Sequence, residues 1–124
     1  MKPKSVKAKG RALQNLLRDK LREKFIENWT KMPKLRDDDI KSQTMGMPGE
    51  DIILSPAARD LIPYSFECKN VERLQFWSTV EQAETNTKES TFPAIVIKKN
   101  RKKPYVAIQL DHFLDLIGGD KWKK

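Results

Sequence analysis

The chain has 124 residues, one cysteine and a formal net charge of +8 at pH 7. This length fits a single domain with a buried core, and one cysteine excludes an internal disulfide and a CxxC zinc site. No apolar run is long enough to cross a membrane, so we expect a soluble protein in the reducing interior of a cell. The excess of basic residues favours a polyanionic partner.

The first half of the chain predicts a helix followed by a glycine-rich loop and short strands. Residues 1–8 are expected to form a disordered basic arm. From Gly10 to about Trp29 apolar residues recur at helical spacing, and the helix should end near Met32-Pro33 because a residue before proline avoids the α region. A strand is expected at 40–45. Glycines then punctuate a turn before a second apolar strand at 49–54.

The second half alternates predicted strands and helices. A short helix opens at Ser55-Pro56. The later elements are a strand at 64–69, a helix at 71–87 capped by Asn70, paired strands at 92–99 and 105–110 around a basic loop, and a helix at 112–117 ended by two glycines. This order predicts an α/β fold, in which helices flank a central mixed sheet.

The strand at 64–69 carries the most informative side chains. Alternation places Phe66 and Cys68 in the core and directs Glu67 and Lys69 to the opposite face. Asp51, on a neighbouring predicted strand, is in a position to meet them. Two carboxylates and one ammonium around a common point suit a hard divalent cation and a polarised water, as in metal-dependent phosphodiesterases.

Charge suggests a role for each of these groups. Asp51 and Glu67 would bind Mg²⁺ or Mn²⁺, with the backbone carbonyl of Cys68 as a further ligand. Lys69 would position or help to deprotonate the water and stabilise the transition state. The alternative, a buried structural triad, is disfavoured because desolvating three charges merely for packing usually costs more than apolar replacements. Glu50 is a second candidate ligand, but on a regular strand it points to the other face.

Other polar and aromatic residues receive more modest interpretations. Gln14 and Gln82 could orient the water or a phosphate oxygen, although ordinary helix surface is the preferred interpretation for each glutamine taken alone. Cys68 is expected to be a small core residue and not a nucleophile. His112 reads as a peripheral helix residue, and Trp77 as a packing group at the margin of its helix.

Two basic clusters are candidate contacts to DNA phosphates. The first is a stripe on the first helix, formed at spacings of three and four by Arg11, Gln14, Arg18 and Arg22. The second is the loop at 98–103, from which Lys98 and Arg101 would reach a phosphate. The alternative for both clusters is solvated surface charge.

These residues together resemble the PD-(D/E)xK nuclease superfamily, and within it a small phage-encoded group similar to archaeal-type Holliday-junction resolvases. The resemblance extends from Lys9 to about Leu116. It is carried by Lys9-Gly10-Arg11 with Gln14, Met45-Gly46 with Gly49-Glu50-Asp51-Ile52, Leu54-Ser55-Pro56-Ala57-Ala58-Arg59, Phe66-Glu67-Cys68-Lys69-Asn70-Val71-Glu72, Glu81-Gln82-Ala83-Glu84, and the late strand pair beginning at Ala94.

The resemblance implies a restriction-endonuclease-like core, in which helices flank a mixed sheet of four to five strands, and Mg²⁺-dependent cleavage of DNA. Asp51, Glu67 and Lys69 match its catalytic positions, and Gln82 matches a supporting polar position. Junction resolvases of this type usually carry a glutamate where this chain has Gln14, so one metal ligand is replaced by a neutral amide. The nuclease domain would span 9–118, with 119–124 as a tail.

The leading hypothesis is therefore a metal-dependent endonuclease acting on branched or structured DNA. By analogy with resolvases, which make two symmetric cuts, we expect a homodimer. A phage-encoded protein of this kind would work in the cytoplasm of the bacterial host. The alternatives are a catalytically idle DNA-binding protein on the same fold and, less favoured, an RNA-binding protein, for which no aromatic-rich strand of the RRM type is present.

Overall fold

The computed structural model describes residues 5–119. Helix α1 spans Val6–Arg22 and continues through one wider turn, Glu23–Glu27. It begins at Val6 because the Ser5 hydroxyl caps it, accepting a hydrogen bond from the Ala8 N–H at 3.1 Å. Residues 6–8 are thus helical, and the prediction of a disordered arm is wrong for them. Residues 1–4 of that arm and 120–124 of the predicted tail lie outside the described part.

The strands form two sheets. In one, β1 (Ile40–Ser42) pairs antiparallel with β2 (Ile52–Leu54). In the other, β3 (Tyr64–Asn70) pairs in parallel with β4 (Phe92–Lys98), and β4 pairs antiparallel with β5 (Tyr105–Ala107). The predicted α/β architecture with a mixed sheet is confirmed.

The mixed sheet is smaller than predicted, with three strands in place of four to five. The β1–β2 pair stands apart because each of its strands is only three residues long. A backbone hydrogen bond from the Asp51 N–H to the Phe66 carbonyl, 2.9 Å long, joins this pair to β3. The extra strands of the prediction therefore form a small hairpin beside the main sheet.

Three further helices complete the described structure: α2 (Pro56–Leu61), α3 (Phe76–Thr85) and α4 (Leu110–Ile117). The capping of α2 by Ser55 is as predicted. Helix α3 begins five residues later than predicted, because Asn70 ends β3 and its amide donates to the Lys9 carbonyl at 3.0 Å instead of capping a helix. No helix within 5–119 is long and apolar enough to span a bilayer.

The two faces of β3 and β4 have different environments. On one face Phe66, Cys68, Ala94 and Val96 pack in the main core, with Leu13 of α1 and residues of the hairpin. On the other face Glu67 lies opposite Ile95 in the register and Lys69 opposite Ile97, and α3 packs against this side of the sheet. The predicted alternation along β3 is confirmed.

Two predictions about burial are wrong. His112 is buried, not peripheral: its ring stacks on Phe92 with centroids 4.0 Å apart, and its Nε2 lies 2.5 Å from the Tyr64 hydroxyl. Burial lowers the pKa of His112. Trp77 is 75% exposed and does not pack in the core. Helix α4 is turned so that its histidine faces inward.

An ion pair between Glu50 and Arg59 connects the turn before β2 to α2. The Glu50 side chain is only 5% exposed and that of Arg59 23%. Glu50 lies before β2 and not on a regular strand, and its charge is balanced by Arg59, which the sequence did not indicate as its partner.

We predict that Arg59→Met destabilises the protein by about 3 kcal/mol, because it leaves the buried Glu50 carboxylate without its cation. The matched control is Arg18→Met, which breaks an exposed pair with Asp19 and should cost less than about 1 kcal/mol. Urea unfolding measures both. Equal losses in the two variants would contradict the structural importance of the buried pair.

Candidate active site

Asp51 is held in place by its own backbone. Gly49, with φ of +102°, makes a turn that favours glycine and leads into this residue. The Asp51 N–H then donates to the Phe66 carbonyl, and its carbonyl accepts from the Gln43 N–H at 2.8 Å. Asp51 is thus fixed between β1 and β3, immediately before β2 begins.

The carboxylate of Asp51 lies against the backbone of β3. Its Oδ2 accepts a hydrogen bond from the Cys68 N–H at 2.6 Å. Both backbone groups of a strand residue point to the same edge, so the Cys68 carbonyl also faces the Asp51 side of β3. The carbonyl that was predicted to be a metal ligand therefore lies on the appropriate edge of the strand.

Glu67 lies beside Asp51 in a poorly solvated position. It is 4% exposed, and the side chains of Asp51, Lys69 and Asn86 are near enough to affect its ionisation. Burial, followed by the negative charge of Asp51, raises the pKa of Glu67 to about 7, although Lys69 opposes the shift. Burial also raises the pKa of Asp51, against the opposing effects of the Cys68 N–H and Lys69.

Several buried oxygens at this point have no hydrogen-bond partner within the described residues, among them Glu67 Oε1 and Gln14 Oε1. Such atoms are costly unless something binds them. An oxygen-lined site with two carboxylates fits Mg²⁺, which is often held by one or two carboxylates and keeps several waters. Within residues 5–119 no third Asp, Glu, His or Cys joins the pair in a metal-binding cluster.

A cleft of about 500 Å³ opens over these groups. All five of the central polar residues predicted from the sequence line it: Gln14, Asp51, Glu67, Lys69 and Gln82. The Nε2 of Gln14 donates to the Asp51 carbonyl at 3.3 Å, and its amide also reaches the Asp51 carboxylate. The catalytic roles of these residues stay predictions, but the structure brings the residues together.

Cys68 is not equipped to act as a nucleophile. Its side chain is buried in the main core, and burial together with the negative charges of Asp51 and Glu67 raises the pKa of its thiol far above the ordinary value. A protonated thiol is a poor nucleophile. Its contribution to the site is made by its backbone.

The predicted basic stripe on α1 is divided among different environments. Arg11 is exposed and lines a depression next to Gln14, whereas Gln14 itself is buried in the site. Arg18 pairs with Asp19 on the surface. Arg22 donates to the carbonyls of Ile40 and Asp37 at 2.9 and 3.1 Å. Two of its donors therefore tie α1 to the hairpin instead of facing outward.

The second basic cluster occupies the loop between β4 and β5. Arg101 is exposed and Lys98 is half-buried at the end of β4. The loop is anchored by Glu72, whose carboxylate accepts a hydrogen bond from the Asn100 N–H at 2.7 Å. This contact keeps the basic loop near the end of β3 that carries Lys69.

Sequence reasoning missed two polar residues of the site. Lys7 lines the cleft, but it was assigned to the arm because Ser5 was not recognised as a helix cap. Asn86 follows α3, and its side chain favours the ionised form of Glu67. An asparagine at a helix end is common and does not indicate a functional residue. The one available signal was that Asn86 follows Gln82 by four residues, which places the two side chains on the same side of the helix.

Comparison with known proteins agrees with this geometry. The family model described as "Phage putative PDDEXK endonuclease" matches residues 5–121. No curated protein and no solved structure matches the chain. Because the match extends over nearly the whole chain, the protein belongs to this PDDEXK family, and the predicted resemblance to a phage group of PD-(D/E)xK nucleases is confirmed.

We predict that metal-free protein loses stability between about pH 4.5 and pH 7, where Glu67 is protonated in the folded state and ionised in the unfolded chain. The loss attributable to this group is up to about 3 kcal/mol, from about 1.4 kcal/mol for each pKa unit. Glu67→Gln should remove that part of the slope, as measured by urea unfolding in EDTA.

The control for this experiment is Glu81→Gln, an exposed glutamate on α3. It should leave the dependence of unfolding free energy on pH unchanged. If Glu67→Gln and the unmodified protein showed the same slope, the raised pKa of Glu67 would be disproved.

Proposed function

We propose that this member of the PDDEXK endonuclease family hydrolyses phosphodiester bonds in DNA, with Asp51, Glu67 and Lys69 at the reacting phosphate. The observation that carries the proposal is the meeting of the buried carboxylate of Glu67 and the half-buried carboxylate of Asp51 beside a lysine in an open cleft. Two acids placed together where little water reaches them raise each other's proton affinity, which is an unfavourable arrangement for mere packing. A cation bound between them removes this penalty.

The residues present fit Mg²⁺ or Mn²⁺. Asp51 and Glu67 would hold the ion, the Cys68 carbonyl would add a neutral ligand, and waters would supply the remaining ligands. When bound, the cation neutralises charge that develops on the phosphate and makes a water more acidic. Gln14 would contribute an amide oxygen at the border of the site, where a glutamate would have contributed a third negative charge.

The Lys69 side chain lies in the cleft and not in the hydrophobic core, so it could contact a phosphate. It follows Cys68 on β3, so its side chain emerges on the Glu67 face, where it lines the cleft and lies near both carboxylates. From there its ammonium can donate a hydrogen bond to a phosphate oxygen and to the attacking water. Such preorganised donors stabilise charge that appears only in the transition state.

Gln82 and Asn86 would act as positioning residues from α3. They lie one helical turn apart. The Asn86 side chain favours the ionised form of Glu67, and Gln82 lines the cleft. An amide at each position can orient a carboxylate or a water without adding charge. The loop at 44–48 forms the opposite wall of the cleft.

Basic residues around the cleft supply contacts for the DNA backbone. Lys7 and Arg11 lie on the first turns of α1 beside the site, and Lys98 and Arg101 lie at the end of β4 and in the loop after it, near the end of β3 that carries Lys69. Phosphate contacts of this kind give affinity that falls steeply with salt. Arg18, whose side chain is 27% exposed, would extend this surface along α1.

We further propose that the protein works as a homodimer on branched or structured DNA. Helix α4 exposes an apolar stripe at helical spacing: Leu110, Phe113, Leu114 and Ile117 are 69, 47, 47 and 66% exposed. A surface helix normally turns such a stripe inward, yet α4 buries His112. A second copy that covers this stripe by two-fold symmetry would provide two sites for paired cuts.

We predict that Lys69→Ala lowers the rate of metal-dependent DNA cleavage by at least about 100-fold, because one transition-state donor is lost. Folding and DNA binding should be retained. The assay uses a labelled four-way junction, a duplex and a single strand, each with Mg²⁺, with Mn²⁺ and with EDTA. Lys41→Ala, an exposed lysine on β1, is the matched control and should cut normally.

Two results of this assay would contradict the proposal. Full activity in Lys69→Ala would remove the role of the lysine. Salt-sensitive binding without cleavage of any DNA by the unmodified protein would instead favour a catalytically idle DNA-binding protein.

For the dimer, we predict that Leu110→Asp combined with Ile117→Asp yields a folded monomer in sedimentation equilibrium, because each change puts a charge into a desolvated contact. Met32→Asp changes a side chain that is 77% exposed elsewhere on the surface and should not alter the association state. If the unmodified protein were monomeric at micromolar concentration, the proposed dimer would be refuted.

A further inference from the structure

A row of three side chains runs across the mixed sheet from the candidate active site to its edge. In the strand register Lys69 on β3 is opposite Ile97 on β4, and Ile97 is opposite Tyr105 on β5. Paired residues direct their side chains to the same face. Two strand spacings separate Lys69 from Tyr105, or roughly 10 Å, which is about the length of three stacked nucleotides.

A small cavity of about 260 Å³ lies along this row. Its apolar lining is formed by Val71, Leu74, Ile97 and the ring of Tyr105, which is 70% exposed. Its basic lining is formed by Lys69, Lys98, Lys99, Lys102 and Lys103. Lys69 also lines the catalytic cleft, so the two cavities share the residue that is predicted to contact the reacting phosphate.

Apart from Lys69, whose charge also acts on Asp51 and Glu67, the lysines of this cavity are available to a ligand. Within residues 5–119 none of its five lysines forms an ion pair with a carboxylate. The one carboxylate that lines the cavity, Glu72, holds the loop through the Asn100 N–H. An anion entering the cavity would therefore meet a strong excess of positive charge.

The cavity combines an apolar floor (Val71, Leu74 and Ile97), the exposed ring of Tyr105 and a lysine rim (the five lysines named above). This combination favours unpaired DNA over paired DNA. The backbone of a paired duplex presents phosphates but keeps its base faces stacked, so it would leave the floor and the ring unused. An unpaired strand presents phosphates and free base faces together. Aromatic platforms within basic grooves are the usual means of binding such strands.

We infer that this cavity binds an unpaired nucleotide next to the phosphate that is cut, with its base stacked on Tyr105 and its phosphates against the lysine rim. The inference rests on the proposed nuclease function and narrows its substrate class. The preferred DNA would carry a single-stranded segment that emerges from a duplex within a few nucleotides of the cleavage position. A fully paired duplex would occupy only the catalytic cleft.

The test is binding in EDTA, measured by fluorescence anisotropy with two labelled probes: a 15-nucleotide oligothymidylate and a fully paired duplex. Tyr105→Ala should weaken binding of the single strand by about 5- to 100-fold, the effect of losing one stacked base. It should change duplex binding less than twofold. Tyr105→Phe keeps the ring and should bind both probes as the unmodified protein does.

The matched control is Val106→Ala. Val106 is the next residue on β5, is 57% exposed and lies on the other face of the strand, so its loss should affect neither probe. Circular dichroism confirms that each variant is folded. Equal weakening of both probes by Tyr105→Ala, or no weakening of either, would overturn the inference.

The rim can be tested separately through salt. Lys99→Gln combined with Lys102→Gln should reduce the slope of log affinity against log salt for the single strand by roughly 1.4, at about 0.7 for each phosphate contact. An unchanged slope would remove these lysines from the site. Failure of the inference is distinguishable from failure of the proposed function. A protein that cuts paired DNA with Mn²⁺ is a nuclease even if Tyr105→Ala has no effect on the binding of single strands.

Discussion

The electrostatic interaction between the carboxyls of Asp51 and Glu67 is the constraint on which the site depends. Two neighbouring acids repel each other when both are ionised, and the burial of Glu67 leaves little water to screen them. The chain offsets part of this repulsion with the Cys68 N–H and the charge of Lys69. The pKa of Glu67 nevertheless rises to about 7. In the proposed function, a bound cation would relieve this repulsion.

One strand produces both the core and the chemistry. Alternation along β3 sends Phe66 and Cys68 into the apolar interior and leaves Glu67 and Lys69 on the face of α3. The burial of Cys68 fixes the backbone N–H that holds Asp51, so packing on one face determines geometry on the other. The same register carries the row from Lys69 to Tyr105, which links the proposed chemistry to the proposed choice of DNA.

The sequence predicted those parts that follow from local periodicity or from a motif. Alternation in β3, the Ser55 cap and the family resemblance each depend on residues close together in the chain. Contacts made at long range were missed. Nothing local shows that Asn70 bonds to Lys9, that Arg59 neutralises Glu50, or that His112 is buried against Phe92. The size of the sheet was overestimated because short strands were assumed to join one sheet, which only tertiary packing decides.

The most direct test of the central claim is proton release when Mn²⁺ binds, measured by calorimetry in buffers of different ionisation enthalpy. With a pKa of about 7, Glu67 is half protonated at pH 7, so about half a proton per ion should be released there, and almost none at pH 9. Mn²⁺ binding without proton release at pH 7, or no binding at all, would contradict a cation site shared by Asp51 and Glu67.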